Sequence, residues 1–321
     1  MKIVITPGLT LPEVSEPDLA RIRAAAGDGA EVMVVEPAAL IEHAAEMDVV
    51  LGFVPRKVFQ RALRLKWVHA IASGVDAFLY DELVASEVVL TSEKGLVGEH
   101  LADHAFALLL TLTRQVKTAL AYGADSWNHR PEMRRQEIEL TGLTMGIWGF
   151  GGTGRAMARR AVAFGMSVQA LDRDPVPPSP EVSVVSGVEF FDELLKTSDV
   201  VAVCTPLTRE TRGKFDARAF SLMKSTAWLV NVTRGEVMIE EDLVAALQDG
   251  RIRGAALDVA PREPLPPESP LWSLPNVVMT PHTAGASQFR AARNIDRFVS
   301  NLERLRRGEP LAGVIDKHLG Y

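Results

Sequence analysis

The sequence predicts an α/β protein of two parallel-sheet domains, one inserted into the other. Three observations carry this. Short apolar runs ending in Pro, Gly or polar residues alternate with helical stretches through most of the 321 residues, the pattern of strands joined by helical crossovers. A glycine-rich turn, Gly149-Phe150-Gly151-Gly152-Thr153-Gly154, lies near mid-chain, with a complete set of strand–helix units ahead of it. Three polar clusters then follow late strands, at the edge where open parallel sheets place their sites.

Taken in order, early strands are predicted at 2–6, 31–35, 48–53, 67–71 and 88–91, with helices at 16–26, 38–45 and 56–63 between them. A long apolar helix follows over about 99–120. Later strands are predicted at 144–148, 167–171, 200–204, 228–231, 254–259 and 277–280, and one last helix at 288–307. If that helix returns to the first set of strands, the first domain is discontinuous. This gives residues 1–99 plus 288–321 as a substrate-binding domain and 100–287 as a nucleotide-binding domain, with the two crossings as hinges over a cleft. The Pro-rich stretches 175–180 and 261–270 read as rigid surface loops.

Composition narrows the function classes. Hydrophobic content of 47% and charged content of 24% are ordinary for a globular enzyme. A net charge of −6 argues against nucleic acid or an anionic membrane as partner. The arginines at 290, 293, 297, 304, 306 and 307 read as the solvated face of the last helix. The single cysteine, Cys204, excludes an internal disulfide and a cysteine metal cage, and its apolar run makes it a strand thiol. No apolar run approaches a membrane span, the first residues do not read as a signal peptide, and a cytoplasmic location is expected. His100 and His104 share a helical face at a spacing that can bind zinc, but no third ligand cluster accompanies them, so no metal is expected. His43, His69, His129 and His318 stand alone and carry no argument.

The glycine turn matches G-x-G-x-x-G, follows an apolar run and opens an Ala/Arg-rich helix, and a second strand ends at the acid Asp172. Gly149 permits a tight turn, Gly151 lets backbone approach a pyrophosphate, and Gly154 lets helix and strand pack closely. Gly152 and Thr153 add N–H groups at the positive end of the helix. Asp172 suits a ribose diol and would repel a 2′-phosphate, so NAD is favoured; the adjacent Arg173 keeps NADP open.

The strand-end clusters hold Thr233 and Arg234, then Asp258 and Glu263, then His282. Hydride delivery to a carbonyl carbon requires a proton for the oxygen. An imidazole titrates near neutrality and suits that task, and Glu263 would favour the imidazolium of His282 and fix its tautomer. Arg234 offers a planar fork for a carboxylate.

These motifs resemble the D-isomer-specific 2-hydroxyacid dehydrogenase family over most of the chain. The residues that carry the resemblance are 65–76, with Ser73-Gly74-Val75-Asp76 at their end, the turn at 142–154, the loop Thr205-Pro206-Leu207-Thr208, and 269–277 leading to His282. The resemblance implies two Rossmann-like or flavodoxin-like domains and reduction of a 2-keto acid to a D-2-hydroxy acid. It implies that Arg234 binds substrate, His282 donates the proton, and Glu263 supports it. Ser73, Gly74 and Val75 would present N–H groups to the substrate carboxylate. Thr205, Pro206, Thr233 and Asp258 would line the nicotinamide side. It further implies a homodimer joined near the long helix and the Trp127 loop. Two positions depart from the pattern, Thr153 for an apolar residue and Val97 for Asn, and the segment 93–104 diverges most, which leaves the substrate open. Rival readings are a phosphite- or formate-oxidising enzyme on the same scaffold and a dinucleotide-sensing corepressor-like protein.

Overall fold

In the computed structural model, which describes residues 1–321, the chain divides into two compact units. Met1–Val97 and Ala286–Tyr321 form the first, and Gly98–Gly285 the second.

The first unit holds strands β1 (Lys2–Ile5), β2 (Glu31–Val34), β3 (Val49–Leu51), β4 (Trp67–His69) and β5 (Val89–Thr91). They form a parallel sheet in the order β2-β1-β3-β4-β5. Strands β3 and β4 are buried along their whole length, which is why β3 is continuously apolar instead of alternating, while β4 buries His69 beside Trp67 and Val68. Helix α1 (Glu16–Ala26) starts at Ser15, whose hydroxyl accepts from the Asp18 N–H at 3.3 Å, and buries Leu19 and Ile22. Helices α2 (Leu40–His43), α3 (Arg56–Phe59) and α4 (Asp81–Val84) are short. The longer helices expected at 38–45 and 56–63 tighten into i→i+3 bonding, as in Arg61 N–H to the Val58 carbonyl at 3.0 Å.

The second unit opens with α5 (Gly98–Thr113), α6 (Val116–Tyr122) and α7 (Ser126–Gln136). The single helix expected over 99–120 is thus two. Gln115 takes φ 53°, ψ 24°, and one left-handed residue ends the first helix. The expected loop at Trp127 is helix α7, which buries nothing and contains Pro131, so it carries no apolar stripe to read. The remaining elements are β6 (Thr144–Trp148), α8 (Gly152–Ala163), β7 (Ser167–Leu171), β8 (Val185–Ser186), α9 (Phe191–Thr197), β9 (Val200–Val203), α10 (Ala217–Leu222), β10 (Trp228–Asn231), α11 (Glu240–Gln248), β11 (Gly254–Leu257) and β12 (Val277–Met279). Seven parallel strands run in the order β12-β11-β10-β9-β6-β7-β8.

Alternate strand residues face opposite helical layers. Met145, Ile147, Val200, Ala202 and Val230 pack with α5 and α8 through Phe106, Leu109, Ala156 and Met157. Trp148, Val201, Val203, Leu229 and Leu257 pack with α9, α10 and α11 through Leu194, Phe220 and Leu243. The result is a three-layer doubly wound domain.

Helix α12 (Arg290–Arg307) returns the chain to the first unit, burying Asn294, Ile295, Phe298, Asn301 and Leu302. Phe298 stacks on Trp67 with centroids 4.9 Å apart, and truncating such a buried Phe to Ala costs about 3–5 kcal/mol. Beyond it, the tail bonds the edge strand β5 through Ser92 N–H to Gly313 O and Ile315 N–H to Leu90 O, both at 2.9 Å, so that edge is covered. The arginines of α12 are not all a solvated face: Arg290 is only 18% exposed and pairs with buried Glu93.

His69 also departs from its sequence reading. It is fully buried in β4, with Nδ1 2.7 Å from Thr91 Oγ1. Burial first, and the Arg297 charge second, push it down to about 3. An unfolded histidine titrates near 6.5, so between about 3 and 6.5 the unfolded chain binds the extra proton and stability falls as pH falls. The first unit should therefore be about 2 kcal/mol less stable at pH 5 than at pH 8 on this account. Urea unfolding at the two pH values, monitored at Trp67, should show that loss in the wild type and not in His69→Gln. An equal loss in both would remove His69 as its source.

Candidate active site

The carboxyl ends of six neighbouring strands in the second unit carry the predicted residues. Strand order reverses direction at β6, which has β7 on one side and β9 on the other, a topological switch point of the kind where doubly wound sheets bind ligands.

At the end of β6 the three fingerprint glycines have three separate causes. Gly149 sits at φ 95°, and a Cβ there would lie 2.7 Å from the Thr205 backbone nitrogen. At Gly154 a Cβ would lie 2.1 Å from the Gly149 carbonyl oxygen, so α8 could not seat on the turn. Gly151 is different. Its φ of −77° suits any residue, and a Cβ would meet nothing within 4 Å. The chain itself makes no demand for glycine at that position, which fits the close approach of a ligand from outside. Gly152, Thr153 and Gly154 open α8, where N–H groups lack intrahelical acceptors and the helix dipole is positive.

Asp172 follows β7 directly. One carboxylate oxygen accepts from the Phe150 N–H at 2.6 Å and the other from the Asp174 N–H at 3.1 Å, so the acid is tied to the glycine turn. The guanidinium of Arg173 is turned onto Asp174, with Nε and Nη2 both 3.1 Å from Oδ1. The residues present therefore fit a dinucleotide: donors for its phosphates, an acid for its ribose, and a turn without side chains between them. Thr205 and Pro206 follow β9, the first buried and the second exposed. Cys204 beside them packs against the core, and burial pushes its thiol up to about 12, leaving it inert at neutral pH.

Asn231, the last residue of β10, organises the next cluster. Its side-chain carbonyl accepts from Thr233 N–H at 3.0 Å and its amide donates to the Arg234 carbonyl at 2.9 Å. Arg234 Nη1 in turn donates to the Thr233 carbonyl at 2.9 Å.

After β11 and β12 the chain brings Glu263 and His282 together. Glu263 Oε2 lies 2.7 Å from His282 Nδ1, while Oε1 accepts from the Ala260 N–H at 3.0 Å. The carboxylate is thus oriented on one side and directs the ring on the other, leaving Nε2 as the outward nitrogen. Both side chains are about two-fifths exposed, 43% and 39%. His282 holds φ 55°, which costs a non-glycine residue on the order of 1–3 kcal/mol. What opposes that cost is Asp258. Its carbonyl accepts from the His282 N–H at 2.8 Å, and its carboxylate accepts from the Thr283 and Ala284 N–H groups at 2.8 Å and from the Thr280 hydroxyl at 2.6 Å.

Asp258, expected on the nicotinamide side, has a side chain with no exposed surface, and both its oxygens are engaged by this loop. His104, read as a zinc decoy, reaches the same network: its Nε2 is 2.7 Å from Thr280 Oγ1. Glu99 and Asp103, beside it on α5, pair with Arg159 and Arg160. Asn231, Ala260, Thr280 and His104 thus hold the segments that carry Arg234, Glu263 and His282, contacts that sequence reasoning missed. Only the placement of Asn231 and Thr280 at strand ends could have signalled them.

Ser73, Gly74 and Val75 lie in the first unit, after β4. Val75 is buried, and Ser73 and Gly74 are half-exposed. None of their N–H groups donates to a backbone acceptor.

A family model described as D-isomer specific 2-hydroxyacid dehydrogenase, NAD binding domain, matches residues 106–284, more than half of the chain. A glyoxylate reductase from Korarchaeum cryptofilum is 35% identical over 281 residues, covering 84% of this chain and 83% of the relative. Among solved structures, the NADPH-dependent glyoxylate/hydroxypyruvate reductase of Sinorhizobium meliloti, in complex with NADP and sulfate, superposes with a TM-score of 0.82 at 29% identity, covering both chains completely. The NAD-dependent formate dehydrogenase of Staphylococcus aureus, in complex with NAD, gives 0.76 at 27% identity, covering 98% of this chain and 99% of that one. With the glycine turn, its acid and the paired histidine on one sheet edge, these likenesses settle the assignment: the chain belongs to the D-isomer specific 2-hydroxyacid dehydrogenase family and is an NAD(P)-dependent oxidoreductase acting on a CH–OH group.

Proposed function

We propose that this chain reduces a small 2-keto acid of the glyoxylate or hydroxypyruvate class to the D-2-hydroxy acid, with NADH as the preferred reductant. The observation that carries the reading is the 2.7 Å contact between His282 Nδ1 and Glu263 Oε2 at the sheet edge that also carries Arg234. The names of the glyoxylate reductase relatives support the substrate class.

When bound, the nicotinamide supplies a hydride to the keto carbon. Everything else falls to side chains and backbone of this protein. Gly151, Gly152, Thr153 and Gly154 hold the pyrophosphate, and Asp172 accepts from the ribose hydroxyls. Thr205, Pro206 and Thr233 line the nicotinamide side, and Asp258 acts through the loop it anchors. Arg234, with a planar fork of donors, binds the substrate carboxylate and draws charge toward the keto oxygen. In the first unit, Ser73, Gly74 and Val75 offer N–H groups suited to a substrate carboxylate. Charge that develops on the keto oxygen is met by the proton on His282 Nε2. Nδ1–H donates to Glu263 throughout, which fixes the tautomer and the orientation of the ring. In the reverse direction the neutral ring takes the hydroxyl proton.

Asp172 favours NAD because its carboxylate would face a 2′-phosphate with like charge, and because the fork of Arg173 is engaged by Asp174. We place a homodimer face on α6 and α7, where Leu120 is 77% and Trp127 75% exposed, beside an open groove lined by Ala119, Trp127 and Met133. Such exposed apolar surface marks interfaces more often than free faces.

Three measurements check this reading. NADH oxidation should be seen with glyoxylate or hydroxypyruvate, and His282→Ala should lower kcat/KM by about 10²–10⁴-fold while leaving NADH affinity within about twofold. Turnover only with formate or phosphite and NAD⁺ would favour the oxidising scaffold-mates, and tight NADH binding without turnover on any acid would favour a sensor. Asp172→Ser should move the NADPH-to-NADH preference by about tenfold or more toward NADPH, the factor carried by roughly 1.4 kcal/mol; an unmoved ratio would remove Asp172 from cofactor choice. Light scattering after size exclusion should give a dimer for the wild type and a monomer for Trp127→Glu, and a monomeric wild type refutes the dimer face.

A further inference from the structure

Glu93 lies in the segment that diverges most from the family pattern, two residues after β5. Its side chain is 1% exposed. Arg290 Nε sits 3.1 Å from each carboxylate oxygen, and Asn294 Nδ2 donates to Oε1 at 2.8 Å. Both partners are on α12, so a buried acid at the carboxyl edge of the first sheet is gripped by the helix that returns from the far end of the chain. The backbone of Glu93 bonds to other segments. Its N–H donates to the Ala72 carbonyl at 3.2 Å, and its carbonyl accepts from Leu96 N–H at 2.8 Å. Ala72 immediately precedes Ser73-Gly74-Val75.

We propose that Glu93, Arg290 and Asn294 form a positioning lock that sets the Ser73–Val75 backbone for the substrate carboxylate; this rests on the substrate role proposed above for that loop. The geometry favours this over a simple stabilising pair. A buried ion pair is often no better for stability than a well-packed apolar substitute, yet its directional bonds fix one arrangement of the segments that carry it. Here those segments are α12 and the two turns that follow β4 and β5. The N–H groups of Ser73, Gly74 and Val75 make no backbone bonds, and on its far side the stretch is tied through the Val75 carbonyl, which accepts from the Phe78 N–H at 2.8 Å. The bond from Glu93 to Ala72 is the link adjacent to them, and the Glu93 side chain is what fixes that link. None of the three side chains touches substrate; they act through the loop.

The test uses the full-length enzyme with Glu93→Met and Arg290→Met combined, so that no charge is left stranded, and with Arg290→Lys as the conservative partner. Amide hydrogen exchange should quicken at least tenfold for the Glu93 N–H and for the Phe78 N–H, which bonds the Val75 carbonyl, while peptides of the second unit exchange as in the wild type. KM for the keto acid should rise at least tenfold with NADH affinity unchanged, and Arg290→Lys should recover part of both effects. Wild-type exchange at Glu93 and Phe78 in the double variant overturns the lock, whatever the kinetics. Quickened exchange with an unchanged KM overturns its part in substrate binding. A wild-type enzyme inactive on every keto acid would refute the proposed function instead, and the exchange result would still decide whether the lock exists.

Discussion

The carboxylate of Asp258, buried at the end of β11, is the constraint on which the His282 edge of the second unit depends. A charge without exposed surface must be met by donors, and the donors it has are the Thr280 hydroxyl and the Thr283 and Ala284 N–H groups. Meeting that requirement fixes the chain on both sides of His282 and holds it at a φ that the residue would not otherwise keep. The position of the imidazole is therefore set by an electrostatic demand one strand away. Glu263 then has only to orient the ring, and its own orientation comes from a backbone N–H three residues earlier in the chain.

The sheet supplies the rest by register. Six parallel strands end side by side, so residues as far apart in sequence as Gly149 and His282 share one edge without any long loop to bring them there. Apolar cores on both faces keep that edge rigid, because a strand buried on two sides cannot slip by one residue without exposing one helical layer's contacts to the other. Glycines at 149 and 154 let the turn and the helix close on each other, and the glycine at 151 answers to no contact within the chain.

Much of this was legible in the sequence because it is local. The strand, turn, helix and acid of 144–172 lie within one supersecondary unit, and each residue type has a mechanical reason at its own position. The fold class was legible for the same reason, from alternation repeated along the chain. What could not be read are the contacts between distant segments. Thr280 and His104 meet across 176 positions and Glu93 and Arg290 across 197, so spacing gave no sign of them. Arg290 looked like one of six solvated arginines, and His69 like a histidine with no role. The break at Gln115 was hidden because a single left-handed residue leaves apolar periodicity unchanged on both sides. Helix α7 was hidden because it has no buried face at all.

The return of α12 to the first unit has a consequence for the order in which the molecule can be made. A chain emerging from the ribosome completes the second unit from one uninterrupted stretch, and domains of this kind fold as units during synthesis. The first unit cannot do the same. Its sheet is emitted first, but Phe298, Ile295 and Leu302, which close its core, arrive last. Until they do, Glu93 has neither Arg290 nor Asn294, and a carboxylate destined for the interior must stay in water. The part of the first unit that is made early therefore waits for α12 before its core can close.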